Sequence, residues 1–143
     1  MDLAAGRFYN RSIVLLRKKK RKGLNVSIPK PGRPVRGSHT GKPIMALFDL
    51  LGRRWSMRLI WVLRDGPMVF RELQAACDGL SSSVLARRLA ELKDADIVAL
   101  RASGYELTDE GRALLQLYDP LGAWAERWAK RVARRQGHEP NSS

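Results

Sequence analysis

The chain has 143 residues, with 27 Lys/Arg against 14 Asp/Glu for a formal net charge of +13, a length that suits one compact domain plus an extension. The single cysteine, Cys77, excludes an intramolecular disulfide, and neither His39 nor His138 has the neighbours of a metal site, so no metal or cofactor is expected. No stretch approaches the ~20 apolar residues that span a bilayer, and the run Ile13–Leu16 is too short for a secretory leader, so the expectation is a cytoplasmic protein without a membrane partner.

The basicity is unevenly placed. Residues 1–42 carry 12 Lys/Arg and a single acid, Asp2, whereas residues 43–143 carry 15 basic and 13 acidic residues. Residues 1–41 are therefore expected to be a disordered basic tail whose partner is a polyanion. The domain is expected over 42–136, with 137–143 as a second disordered end. Within the tail, Arg11–Lys22 is an apolar patch followed by a cationic block. Gly23–Pro43 then holds four prolines and four glycines, which oppose regular structure. Pro31-Gly32-Arg33-Pro34 resembles the core of AT-hook segments, which lay an arginine into the minor groove of A·T-rich DNA. Arg33 and Arg36 are thus tail candidates for DNA contact; the plain alternative is a solvated basic linker.

Ile44, Leu47, Phe48 and Leu51 repeat at three- and four-residue steps after Pro43, which predicts an amphipathic helix over 43–51 ended by Gly52. Trp55, Leu59, Val62 and Leu63 predict a second helix over about 54–64, stopped by Asp65-Gly66-Pro67. Trp55 and Trp61 are expected in the core. Met68–Phe70 is a candidate short strand. A third helix, about 71–77, carries Leu73 and Cys77 on one face; Cys77 is read as a buried core thiol, with a reactive one as the alternative. Ser81 or Ser82 caps a fourth helix over about 82–95, with Val84, Leu85, Leu89 and Leu92 inward and Ser82, Ser83, Ala86, Arg87 and Ala90 on the other side. Ile97–Leu100 and Tyr105–Leu107 form a hairpin around Arg101-Ala102-Ser103-Gly104. Thr108, Asp109 and Glu110 open a further helix, interrupted at Pro120. Asp119 as cap and Pro120 as first residue then start a last helix running to about Arg135. Its basic end, Arg127, Lys130, Arg131, Arg134 and Arg135, suits the negative pole of a helix dipole, with a second nucleic-acid patch as the alternative.

Helix, helix, turn, helix and hairpin is the winged helix-turn-helix plan: a mainly α (α+β) fold with a short β-hairpin wing and a C-terminal helical element. A helix of this size fits the major groove, where base edges differ, and the preceding helix braces it across the backbone. Ser81, Ser82 and Ser83 offer small hydroxyls, and the helix start offers free N–H groups, to phosphate oxygens. Ala86 shares that face. Arg87 reaches base edges, Arg88 grips phosphate or packs its stem, and Arg101 touches the neighbouring backbone or minor groove from the hairpin. The plain alternatives are a mere helix cap and ordinary solvated arginines.

Leu50-Leu51-Gly52-Arg53-Arg54-Trp55, Leu63-Arg64-Asp65-Gly66-Pro67, Phe70-Arg71-Glu72-Leu73, Gly79-Leu80-Ser81, Arg88-Leu89-Ala90-Glu91-Leu92 and Tyr105–Arg112 resemble, in order and spacing, the HxlR-type winged-helix transcriptional regulators over about residues 42–130. The resemblance implies a homodimer on double-stranded DNA, with the first and C-terminal helices forming the dimer contact. Leu47, Leu51, Leu117, Leu121, Trp124 and Trp128 are the candidates for it. Two departures stand out. Redox-responsive members place a cysteine directly before the proline that opens the first helix, and here that residue is Lys42. The wing is also shorter than is usual in the family.

The function these residues point to is a sequence-specific regulator reading an inverted repeat, with no effector assigned. The alternative is a non-specific or chromosome-architectural protein driven by the basic tail. An enzyme is the poorest fit, because no phosphate loop, dinucleotide-binding glycine pattern or zinc motif is present.

Overall fold

The computed structural model describes residues 24–137; Arg11–Lys22, His138 and the ends of both expected tails lie outside the described residues. Six helices and one hairpin follow in the order α1 (Pro43–Leu51), α2 (Ser56–Val62), α3 (Phe70–Ala76), α4 (Ser82–Asp94), β1 (Val98–Arg101), β2 (Gly104–Leu107), α5 (Asp109–Gln116) and α6 (Tyr118–Gln136).

Pro43 does open α1, after an extended Lys42. The face it buries is not the one the spacing suggests. Ala46 and Leu50 turn inward, while Ile44 and Phe48 stay 48 % and 59 % exposed. α1 is apolar nearly all round, so periodicity alone does not choose its inner side. Leu51 is half-buried and packs on the core, and Leu47 is half-buried.

α2 starts two residues later than the spacing predicts. Trp55 adopts a left-handed φ of 79° and closes a tight turn through Leu59 N–H to its own carbonyl at 2.9 Å. The last turn then tightens into a 3-10 segment, Leu63–Asp65, before Gly66. Leu59, Ile60 and Leu63 supply the buried face. Trp55 packs against the core, but Trp61 does not belong to it. Trp61 lies at the surface, stacked on Tyr118 at 6.3 Å between ring centroids, with the Arg64 guanidinium 4.4 Å from the centre of the Trp61 ring.

The expected strand at Met68–Phe70 shrinks to one bridge. Met68 N–H donates to the Tyr105 carbonyl at 2.9 Å and the Met68 carbonyl accepts the Tyr105 N–H at 2.8 Å, which ties the chain before α3 to the wing. Phe70 already belongs to α3, because Glu72 Oε2 accepts the Val69 N–H at 2.9 Å and opens the helix there. Gly104 (φ 120°) permits that bridge: a Cβ on it would sit 2.6 Å from the Met68 oxygen. β1 and β2 pair antiparallel, Val98 with Leu107 through Arg101 with Gly104.

Leu73, Leu85, Leu89 and Leu92 from α3 and α4 meet Leu59, Ile60 and Leu63 from α2 and its extension, with Val98 and Leu107 of the hairpin closing the core. Each fully buried leucine contributes about 1.5–3 kcal/mol relative to exposure. Thr108 caps α5 by accepting the Gly111 N–H at 3.0 Å. α6 starts at Tyr118, with Leu117 as the shared hinge residue, not at Pro120 after an Asp119 cap. Pro120 is tolerated in that first turn because N–H groups there have no partner inside the helix.

Residues 24–42 carry more structure than a free tail. Gly32 N–H donates to Gly41 O at 2.8 Å, Val35 and Ser38 bridge each other, Ile28 packs on the core, and Arg53 Nη1 donates to Ser27 O at 3.1 Å.

Candidate nucleic-acid interface

α4 has two unlike sides. Leu85, Leu89 and Leu92 are sealed into the core, while Ser81, Ser82, Ser83 and Arg87 are exposed and Ala86 and Ala90 are half-buried between them. Ser81 caps the helix, its Oγ accepting the Val84 N–H at 3.3 Å. Ser83 Oγ lies 3.3 Å from Ser81 Oγ. Ser82 Oγ accepts from Gln74 Nε2 of α3 at 2.9 Å, and the same amide group donates to Leu80 O at 3.3 Å. So α3 holds the start of α4 by a polar clamp as well as by apolar packing. The serines present hydroxyl groups at a helix end whose partial charge is positive.

A buried ion pair fixes the other end of this face. Both oxygens of Glu91, itself nearly buried, are taken: Oε1 by Arg53 Nη1 at 2.9 Å and Oε2 by Arg88 Nη1 at 2.8 Å. Arg88 Nε also donates to Arg54 O at 2.8 Å. The guanidinium of Arg88 is therefore committed inside the molecule, tying α4 to the α1–α2 turn, rather than held out for phosphate. Arg87 makes no hydrogen bond or ion pair among the described residues. Arg101, at the end of β1, is 64 % exposed in its side chain and rests on Glu106 Oε1 at 3.2 Å. Arg33 and Arg36 are exposed on the hydrogen-bonded turn of residues 30–41.

A second surface lies at the C-terminal end. No residue of α6 is buried. Leu117, Leu121, Trp124 and Trp128 recur along one stripe, each about half-exposed, and the two tryptophans stack at 6.1 Å. Such a contiguous apolar stripe on an uncovered helix marks a contact surface. Ile44 and Phe48 of α1 add to the exposed apolar surface beside the half-buried Leu47 and Leu51. Sequence reasoning overlooked these two and the Arg53–Glu91–Arg88 cluster. The Arg88/Glu91 spacing of three is legible in the sequence, but Arg53 arrives through tertiary packing alone.

Two titrations reflect burial. Desolvation pushes the Cys77 thiol up, opposed in part by Arg58 and reinforced by Asp78. Desolvation also pushes the Tyr118 phenol up to about 12. Among the described residues, no cluster of His, Cys, Asp and Glu is arranged to hold a metal ion, and no helix is long and apolar enough to cross a membrane.

Comparison with known proteins agrees with this geometry. Residues 50–133 match the family described as HxlR-like helix-turn-helix. The HTH-type transcriptional regulator YodB of Bacillus subtilis is 36 % identical over 90 residues, which cover 58 % of this chain and 80 % of YodB. An uncharacterised HTH-type transcriptional regulator of Methanocaldococcus jannaschii, MJ0925, is 28 % identical over 88 residues, covering 59 % of this chain and 83 % of that protein. Among solved structures, quinone-bound YodB from B. subtilis superposes with a TM-score of 0.57 at 38 % identity, covering 59 % of this chain and 96 % of that one. A possible HxlR family transcriptional factor from Thermoplasma volcanium gives 0.54 at 28 % identity, covering 62 % and 86 %. The winged helix-turn-helix fold is thus shared with transcriptional regulators, and the chain belongs to the HxlR-like helix-turn-helix family.

Proposed function

We propose that the protein is a homodimeric regulator of transcription that reads a specific DNA sequence through α4. The observation that carries this reading is the split character of that helix: one side glued to the core and pinned by Glu91, the other offering Ser82, Ser83, Ala86 and Arg87 to solvent. Ser81 to Ser83 and the free N–H groups of the first turn hold phosphate, and Arg87 reads a base, preferably the paired acceptors of guanine. Arg101 on the wing and Arg33 and Arg36 on the preceding segment add backbone or minor-groove contacts. Arg88 acts as a positioning residue for α4.

The apolar stripe Leu117–Leu121–Trp124–Trp128, with Ile44, Leu47 and Leu51 of α1, joins two copies. A two-fold pair carries two α4 helices and so reads an inverted repeat with half-sites roughly 34–36 Å apart. No chemistry is performed on the DNA. The test is selection of bound fragments from genomic DNA by the purified full chain. Enrichment of a palindromic sequence, bound ~10³-fold or more tighter than random duplex at physiological salt, supports the reading. A ratio near one points instead to non-specific or architectural binding led by the basic N-terminal segment.

A further inference from the structure

A cleft of about 760 Å³ lies between residues 24–27, α1 and α4. That volume is in the range of sites that enclose a small organic molecule. Residues 24–27 and Arg36 precede the part of the chain that matches the family, while Arg53, Arg87, Arg88 and Glu91 lie within it.

The lining is chemically two-sided. Leu24, Val26, Met45 and Phe48 supply apolar surface, and the Phe48 ring is more than half exposed. Arg36, Arg53, Arg87 and Arg88 also line it, against only two carboxylates, Asp49 and Glu91, so the lining carries a net charge of +2. Glu91 is wholly occupied by Arg53 and Arg88. Arg36 and Arg87 make no ion pair among the described residues, and both face this space. A half-enclosed site with surplus guanidinium and an uncovered aromatic ring suits an anion joined to a flat apolar body.

The geometry points to a binding site for an organic anion of this class, a carboxylate on an aromatic or aliphatic frame, whose occupant engages Arg87 and so competes with DNA. The competition rests on the DNA-reading role proposed above for Arg87; occupancy of the cleft does not. Because one arginine cannot serve both partners, a ligand bound only to the DNA-free protein raises the apparent Kd for duplex by a factor of one plus the ratio of its concentration to its own Kd.

The probe is naphthalene-1-carboxylate, with naphthalene-1-carboxamide as its uncharged counterpart, titrated calorimetrically into the full chain without DNA. The carboxylate is expected to bind once per chain, at least about tenfold tighter than the amide. Met45→Trp, which fills the cleft, abolishes both, with the fold checked by circular dichroism. Arg36→Gln removes most of the preference for the carboxylate. Equal binding of acid and amide, binding that survives Met45→Trp, or no binding of the carboxylate up to about 10 mM overturns the site. In a second arm, carboxylate at ten times its Kd weakens binding of a selected duplex about tenfold, and Met45→Trp binds that duplex without responding. Duplex binding unaffected by saturating carboxylate overturns the competition. A carboxylate that binds to a protein with no affinity for DNA leaves the cleft standing and refutes the DNA-reading role.

Discussion

Glu91 of α4 and Arg53 of the α1–α2 turn form an ion pair of 2.9 Å in which the carboxylate side chain is only 6 % exposed. Burying a carboxylate costs several kcal/mol unless its oxygens are satisfied, and here Arg88 takes the second one at 2.8 Å. The result is a helix whose outer face is held still by a polar bolt on its flank. Glu91→Ala removes the shared anion and leaves two partly buried cations facing each other. A loss of about 2–4 kcal/mol in unfolding free energy is expected, read from urea denaturation of the full chain. A change below about 0.5 kcal/mol would show that the pair is incidental to the fold.

The C-terminal stripe offers a separable test, because no side chain of α6 is buried in the single chain. Leu121→Glu therefore places a charge in the proposed subunit contact without entering the core. In sedimentation velocity the unaltered protein is expected to run as a dimer and the variant as a monomer at the same concentration, a weakening of about 30-fold or more for a central contact residue. Helix content by circular dichroism stays unchanged. An unaltered dimer would move the subunit contact elsewhere.

Cys77 is 1 % exposed and its thiol is held above its ordinary value by burial. Since the thiolate is the reactive form, both access and ionisation oppose reaction near neutral pH. Modification by an aromatic disulfide reagent is expected to be slow in the folded protein and to speed up only with urea or with rising pH, as the thiol ionises. Rapid stoichiometric labelling at pH 7 would contradict a core role for this residue.

Residues 1–41 contribute most of the excess charge, and Arg33 and Arg36 lie exposed on a hydrogen-bonded turn. Each phosphate neutralised by the protein steepens the dependence of affinity on salt by roughly 0.9 on a double logarithmic scale. A chain beginning at residue 42 is expected to bind a selected duplex more weakly and with a salt slope shallower by about two or more. An unchanged slope would exclude the basic segment from DNA contact.

The elements visible in advance share a property: local chemistry decides them. Ser81 as cap, the inward Leu85, Leu89 and Leu92, the glycine-bearing hairpin turn and the Thr108 cap all follow from spacing and side-chain type within a few residues. The elements that differ depend on distant partners. α1 is apolar on several sides, so only packing against α2 selects Ala46 and Leu50 over Ile44 and Phe48. Trp61 lies outside the core, stacked on Tyr118 from far along the chain. Arg88 looks free on a helical wheel and is not, because Glu91 and the Arg54 carbonyl take it. Arg87, one position round the helix, keeps the outward place expected for it.

That single-residue difference between Arg87 and Arg88 allows the most direct test of the account. Binding of the unaltered protein and Arg87→Ala is measured at one fixed salt concentration, on a duplex selected from genomic DNA and on a random duplex of equal length. Loss of a base-reading arginine is expected to cost about 1–3 kcal/mol on the selected duplex, roughly 5- to 150-fold in Kd, with a much smaller change on random sequence. Equal losses on both duplexes, or none on either, would contradict a reading role for the outer face of α4.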